Sequence, residues 1–375
     1  MNRGFYLTLM MGSFTASPVP QAVIEALTEV QVNTSMGSQG GFQLKFTLGK
    51  LSPIHQMLTS GFFDPRTRVI IAVTVNGSTE VLMDGIITKQ DVAPGTSPGK
   101  STLSITGVDL TALMDLLDLT GIPYPALPMF LMVELILAKY AVLGVIPLSI
   151  PTLLSFVSDP LEKIPKQVGT DYAYVTSLGS QVGAVFYLDP GPFPGMSLAY
   201  WGPDLTRLFG GMQSALSINF DGTSNIDSLS FSYDGTLATT YLATIIEPNT
   251  KIPIPIPLPN IDLLKPKLAS QSPPILKTQQ LKPLAGDATV EAMLRALGKL
   301  FDTADVISGS GQLDVLRYGK VFKARQLAAV RGAGNYYDGQ YYVKSVTHNI
   351  KRGEYKQSFT LARGGVGSSV SSVSV

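Results

Sequence analysis

The sequence predicts a mainly β protein with helical insertions: two antiparallel β-barrels with a small α/β domain between them. Three observations carry this. Runs alternating at period two recur near both ends of the chain, glycine-containing turn pairs separate them, and helical spacing is concentrated in the middle. At 375 residues the chain exceeds one ordinary core, which suggests two or three domains.

The first unit is placed at residues 1–120. Phe5 to Met11, interrupted by Thr8, is a first strand; Arg3 ahead of it only imitates a signal peptide. Phe42, Leu44, Phe46 and Leu48 alternate with Gln43, Lys45 and Thr47. Val69 to Val75 runs into Asn76-Gly77 and returns as Thr79 to Met83, and Asn-Gly between alternating runs is the strongest short hairpin signal. Ile54 to Gly61, after Pro53, is a short helix. Ser101 to Val108 is a further strand with Leu103 and Ile105 inward, and Asp109 can cap a helix carrying Leu110, Leu113, Met114 and Leu117 on one face. Many short antiparallel strands with one helix argue for a small barrel.

Residues 121–212 hold the apolar helical segment and the small α/β domain. Met129 to Ile146 invites a membrane reading, which the arithmetic opposes. Its ten Leu, Ile, Val and Phe residues contribute roughly −3 to −6 kcal/mol on an insertion scale, against about +5 to +7 for Lys139 and Glu134. A buried or interface helix is the alternative, with surplus apolar surface pointing to oligomer contact. Thr170 caps a helix that Gly183 stops, and strands Ala184 to Leu188 and Ser197 to Trp201 follow.

Residues 213–363 form the second barrel. Leu216, Ile218 and Phe220 alternate with polar neighbours, as do Leu229, Phe231 and Tyr233. A proline-rich arm, 247–283, interrupts the unit; prolines at alternate positions predict an extended polyproline-like segment. A helix is expected over 287–301 with Asp287 as cap. Tyr336 to Arg363 reads as a closing hairpin turning at Lys351, Arg352 and Gly353. Its second arm puts Tyr355, Phe359 and Leu361 on one face and Lys356, Ser358 and Thr360 on the other. The tail, 364–375, contains only glycine, serine and valine, cannot bury a core and is expected to be mobile in isolation.

Composition narrows the function. The charge of +1, from 28 basic and 27 acidic residues with no long basic run, argues against nucleic-acid binding. The chain has no cysteine, which removes disulfides, thiolate metal sites and cysteine nucleophiles. The two histidines, His55 and His348, have no metal-motif spacing. Gly95 to Ser101 is one residue short of a phosphate-binding loop and precedes a strand rather than a helix, so a hairpin loop explains it. No cofactor is implied.

The closing hairpin carries the most specific pattern: Asp338-Gly339, Tyr341-Tyr342, Val343 to His348, the Gly353 turn and Gln357 to Leu361. These residues closely resemble the closing hairpin of the phage tail baseplate hub superfamily, which includes late-control protein D and the N-terminal part of type VI secretion spike proteins. Asp84-Gly85, the Gly107 to Leu110 stretch and the order leading to Trp201-Gly202-Pro203 agree with it. The resemblance implies two tail-tube-like barrels per chain and a homotrimer with pseudo-sixfold symmetry. Such a ring adapts a hexameric tail tube protein to a trimeric spike among baseplate or wedge components. It further implies assembly in the bacterial or host cytoplasm, a place in a virion or injection-particle baseplate, no enzymatic activity, no specific nucleic-acid binding and no membrane span. With no room after Arg363 for a needle domain, a separate spike protein is expected. The residues expected at assembly interfaces are Tyr341, Tyr342 and His348 in the hairpin, and Leu131, Leu135 and Leu143 in the apolar stretch. Two other readings remain: a cell-surface β-rich binding module using Trp201, and a hydrolase using a carboxylate pair such as Asp302 with Asp305 or Asp221 with Asp234.

Overall fold

Alternating apolar residues dominate both ends of the chain, and there the strands form. The computed structural model describes residues 4–49, 52–95, 101–152, 164–218, 224–246, 250, 253–257, 268–281 and 305–369. The first strand set is β1 (Phe5–Gly12), β2 (Ser17–Pro18), β3 (Leu27–Ser35), β4 (Gly41–Leu48), β5 (Arg68–Val75), β6 (Ser78–Ala93) and β7 (Ser101–Asp109). Asn76 and Gly77 both adopt positive φ, as the tight turn between β5 and β6 requires. Ser52 caps the helix Pro53–Thr59 by accepting from Ile54 N–H.

The insertion supplies β8 (Val145–Ser149), β9 (Val185–Pro190) and β10 (Ser197–Gly202), a three-stranded sheet in the order β8-β10-β9. Helices α1 (Met129–Ala138) and α2 (Asp171–Val182) pack with it around Trp201, Val133 and Val175. Thr170 caps α2 and Gly183, at φ +66°, ends it. No helix among the described residues is long and apolar enough to cross a membrane.

The remaining strands are β11 (Met212–Ser217), β12 (Ser228–Tyr233), β13 (Thr239–Ile246), β14 (Pro253–Pro257), β15 (Ala269–Gln271), β16 (Lys277–Leu281), β17 (Ile307–Asp314), β18 (Leu327–Arg331), β19 (Gly339–Lys351), β20 (Glu354–Arg363) and β21 (Val366–Ser368). The protein is mainly β with helical insertions and a small α/β unit, as its sequence predicts. The two strand sets, however, are not separate closed barrels. β3 pairs with β19 over seven positions, Glu29–Ser35 against Ser345–Lys351, so thirteen strands make one sheet. Its order, β12-β17-β20-β19-β3-β4-β7-β6-β5-β1-β2 with β18 and β11 branching from β19, has two ends among the described residues. Both sets bury their inner faces in one core, where Phe5 of β1 meets Tyr355 of β20 at 5.4 Å.

Three further expectations change. The helix after Asp109 is a single turn, Thr111–Met114, and Leu117 is exposed. Asp118 and Pro123 bridge to Thr170 and Lys166, so pairing with that segment replaces further helix. The proline-rich arm is a hydrogen-bonded strand where described: β14 pairs antiparallel with β13. Proline has no N–H, so the donors to β13 must be Ile254 and Ile256, opposite Ile245 and Ala243. Strands β17 and β18 lie where no strand was expected. The helix over 287–301, Phe220, most of the Gly95 to Ser101 loop and the tail from 370 lie outside the described residues.

Candidate assembly surface

The hairpin residues expected at an interface have their side chains inside the chain. Tyr341, Tyr342 and His348 are all buried. Neighbouring residues on a strand point to opposite faces, so the two tyrosines reach different surroundings. The Arg363 guanidinium lies 4.4 Å from the Tyr341 ring, whose hydroxyl donates to Tyr337 O at 2.6 Å. Arg207 lies 4.5 Å from the Tyr342 ring, whose hydroxyl donates to Met36 Sδ at 3.1 Å. Burial raises both phenol pKa values above their ordinary range. Lys344 is exposed because it is the extra residue of a bulge, where the β19–β20 register shifts between Val343 and Ser345.

His348 sits at the β3–β19 seam. Gln357 is fixed by two backbone bonds, accepting from Phe322 N–H at 2.9 Å and donating to Phe322 O at 2.7 Å. Its amide nitrogen therefore faces His348 Nδ1 at 3.2 Å, while the Tyr355 hydroxyl stands 2.8 Å away. Nδ1 is an acceptor and the imidazole is neutral. Burial lowers its pKa to about 3.

Four arginines, none singled out by sequence periodicity, are buried, and three of them, Arg68, Arg207 and Arg325, tie the strand sets to the insertion. Arg363 donates to the carbonyls of Gly365, Asp338 and Tyr336. Arg207 makes a two-pronged pair with Asp305, both bonds 2.7 Å. Arg325 stacks 4.1 Å over Tyr187 and bonds to Asp189, Leu188 O and Ser35 O. Arg68 pairs with Asp84 through bonds of 2.8 and 2.7 Å and also donates to Leu143 O, Gly195 O and Phe14 O. Burial pushes the Asp84 carboxyl up, with Arg68 opposing it.

The carbonyls gathered by Arg68 belong to three loops that present apolar side chains to solvent: Phe14 (51% exposed), Val142 (68%), Phe193 (66%) and Met196. Along α1, Leu131 (41%) and Leu135 (56%) stand one turn apart on the outer face, and Leu143 is partly buried nearby in sequence. The opposite face of α1, with Met132, Val133 and Ile136, is buried. The helix is thus apolar on both sides, with one side uncovered within the chain.

The other expected sites fall elsewhere. Trp201 is fully buried and donates to Val175 O at 3.2 Å, so it offers no surface to a sugar. Asp234 accepts from Thr236 N–H as a turn cap, and Asp305 holds Arg207. Asp221 and Asp302 lie outside the described residues.

No family model matches this sequence, and no curated protein matches it. Solved structures do. A tail protein from Neisseria meningitidis MC58 superposes with a TM-score of 0.62 at 13% identity, covering 97% of this chain and 98% of that one. The chain has the fold of a phage tail protein. The 43 kDa tail protein of prophage MuSo2 from Shewanella oneidensis gives 0.61 at 14% identity, covering 96% and 98%. A chain of the Francisella PdpA–VgrG complex gives 0.58 at 9% identity, with 99% of this chain matching 55% of that longer one. In this tail-protein fold the apolar loops and the outer face of α1 expose apolar side chains available for contact.

Proposed function

We propose that the chain is a structural hub of a contractile injection machine, whether a phage tail, a tailocin or an extracellular injection particle. It works as a homotrimer. Each chain contributes two strand sets, from 1–120 and 213–363, to a pseudo-sixfold ring between a hexameric tube and a separate trimeric spike, within a baseplate. The observation that carries this reading is the end-to-end correspondence with tail proteins, 97% of one chain against 98% of the other. The uncovered apolar side chains of α1 and of the Arg68-centred loops support it, since exposed apolar clusters are a common mark of association. The role is one of assembly rather than catalysis.

Light scattering on the purified protein, with and without a spike candidate co-expressed from the same operon, tests this. Three times the 40.0 kDa chain mass, alone or on adding the spike, is expected. A monomer under both conditions overturns the hub reading. Leu131→Asp together with Leu135→Asp is expected to lower the assembled fraction at least about tenfold, since desolvating a charge at a packed interface costs well over 1.4 kcal/mol. The monomer's far-UV spectrum and melting point should stay close to wild type, because both side chains already face solvent.

A further inference from the structure

A cleft of about 380 Å³ opens between α2, the Pro203–Arg207 turn and β19. Its volume is that of a ligand site. Val182 and Phe186 give it an apolar wall, and its charged residues are Asp204, Asp305, Arg207 and Lys344, two of each sign. Two donors in that set lack acceptors among the described residues. Arg207 is buried with both terminal nitrogens taken by Asp305, but its Nε has no hydrogen-bond partner. Lys344 stands exposed on its bulge, outside every ion pair among the described residues. The occupant that fits therefore brings apolar surface and carbonyl oxygens but no charge.

The small sheet that borders the cleft carries such a group at its far end. β9 and β10 are joined through Gly191-Pro192-Phe193-Pro194-Gly195, an uncharged tip on which Phe193 and both prolines are exposed. Proline has no N–H, so the tip is rich in acceptors and poor in donors, the converse of the cleft. The fixed φ of the two prolines also lowers the cost of ordering the tip on docking. Tip and cleft cannot meet within one chain. Val185 and Phe186 line the cleft and pair with Gly202 and Trp201, whereas the tip follows Pro190, which pairs with Ser197. The strand between Val185 and Pro190 holds them about 17 Å apart, and the sheet is packed rigidly on α1 and α2.

We propose that the Pro-Phe-Pro tip of one copy docks in the cleft of the next, with Phe193 against Val182 and Phe186 and the proline carbonyls facing Arg207 Nε and Lys344. The contact is head-to-tail, since one end of the insertion's sheet meets the opposite end of its neighbour's. Contacts of this kind repeat around an axis and close into a ring when the rotation allows. The inference rests on the homotrimer reading for closure at three, and adds to it the surfaces by which the copies meet.

The absence of native cysteine makes the test direct. The full-length variant Pro192→Cys with Ser180→Cys, Ser180 being an exposed cleft residue on α2, is oxidised mildly with the co-expressed spike candidate present. Covalent species of two and three chains are expected on a denaturing gel, and none larger. Either single variant should stay unlinked, because a head-to-tail contact keeps like sites apart. Thr28→Cys with Pro192→Cys, whose first site lines a different cleft, should link at least about tenfold more slowly. Linking in a single variant, or equal linking through Thr28, overturns the proposal. A trimer by light scattering without the Pro192-to-Ser180 link also overturns it and leaves the hub reading standing. Links that continue past three chains keep the contact and overturn closure at three; a monomer without links overturns both. If the cysteine variants fail to fold, Phe193→Ala decides, because that side chain already faces solvent. It should weaken assembly at least about tenfold with the melting point unchanged, and unaltered association refutes the proposal.

Discussion

Replacing Asp84 by alanine is expected to cost about 3–5 kcal/mol, because it leaves the Arg68 guanidinium buried without its counter-charge. The loss has a local signature as well. Arg68 is oriented by Asp84 to reach Leu143 O and Gly195 O, so the loops bearing Phe14, Val142, Phe193 and Met196 should become protease-sensitive before the sheet melts. Replacing both members, Arg68→Met with Asp84→Leu, should recover much of the global stability, since no charge is then stranded. It should not restore the loops, whose carbonyls still lack their donor. Urea melts of both variants, with limited proteolysis, separate the effects. An Asp84→Ala protein within about 1 kcal/mol of wild type would mean that the pair contributes little, as exposed pairs do.

Acid should unfold the protein over a window set by His348. Its folded pKa is depressed to about 3, whereas the unfolded chain titrates near 6.5. A group with a depressed folded pKa binds protons in the unfolded state first. Its contribution is therefore complete above pH 6.5 and is lost as pH falls toward 3, at about 1.4 kcal/mol per unit and on the order of 5 kcal/mol across the window. The cause is burial, which removes the charged imidazolium from water, and the local hydrogen bonds offer it no relief. Protonating Nδ1 would put a proton against the Gln357 amide group, whose orientation Phe322 fixes, in a site without a carboxylate bonded to the ring. His348→Asn keeps an acceptor near the Nδ1 position and removes the titration. Its stability should fall more gently between pH 6 and 4, and the two proteins should converge in the acid limb. Parallel pH profiles would show that other groups carry the acid sensitivity.

What could be read from the sequence was what alternation and turn chemistry encode. The turn and second arm of the closing hairpin were legible residue by residue: Tyr355, Phe359 and Leu361 are buried, and Gly353 takes the positive φ its turn demands. The Asn76-Gly77 hairpin and the Thr170-to-Gly183 helix were equally plain. β17 was not, because its sequence, ISGSGQLD, has hardly any side chains with which to show a period. Its glycines are there because rings are: a Cβ on Gly311 would lie 2.6 Å from Phe359, and one on Gly309 3.1 Å from Phe231. The joining of two strand sets through β3 and β19 was hidden for another reason, since alternation defines a strand's faces and says nothing about which edge it will meet. The surroundings of Tyr341, Tyr342 and His348, whose side chains are buried inside the chain, were hidden similarly. A polar or aromatic residue on a strand face can meet a partner chain or a buried arginine or glutamine of its own, and the sequence does not number its neighbours.

The Pro-Ile-Pro-Ile-Pro strand has one more consequence. With the backbone groups of Ile254 and Ile256 turned toward β13, the other edge of β14, which pairs with no strand among the described residues, presents only proline backbone, and so only carbonyl oxygens. Two such rims brought together would set lone pair against lone pair. Where many copies are made at once and held close, this border acts as a terminus for growth: molecules can crowd beside it without zipping into a fibre.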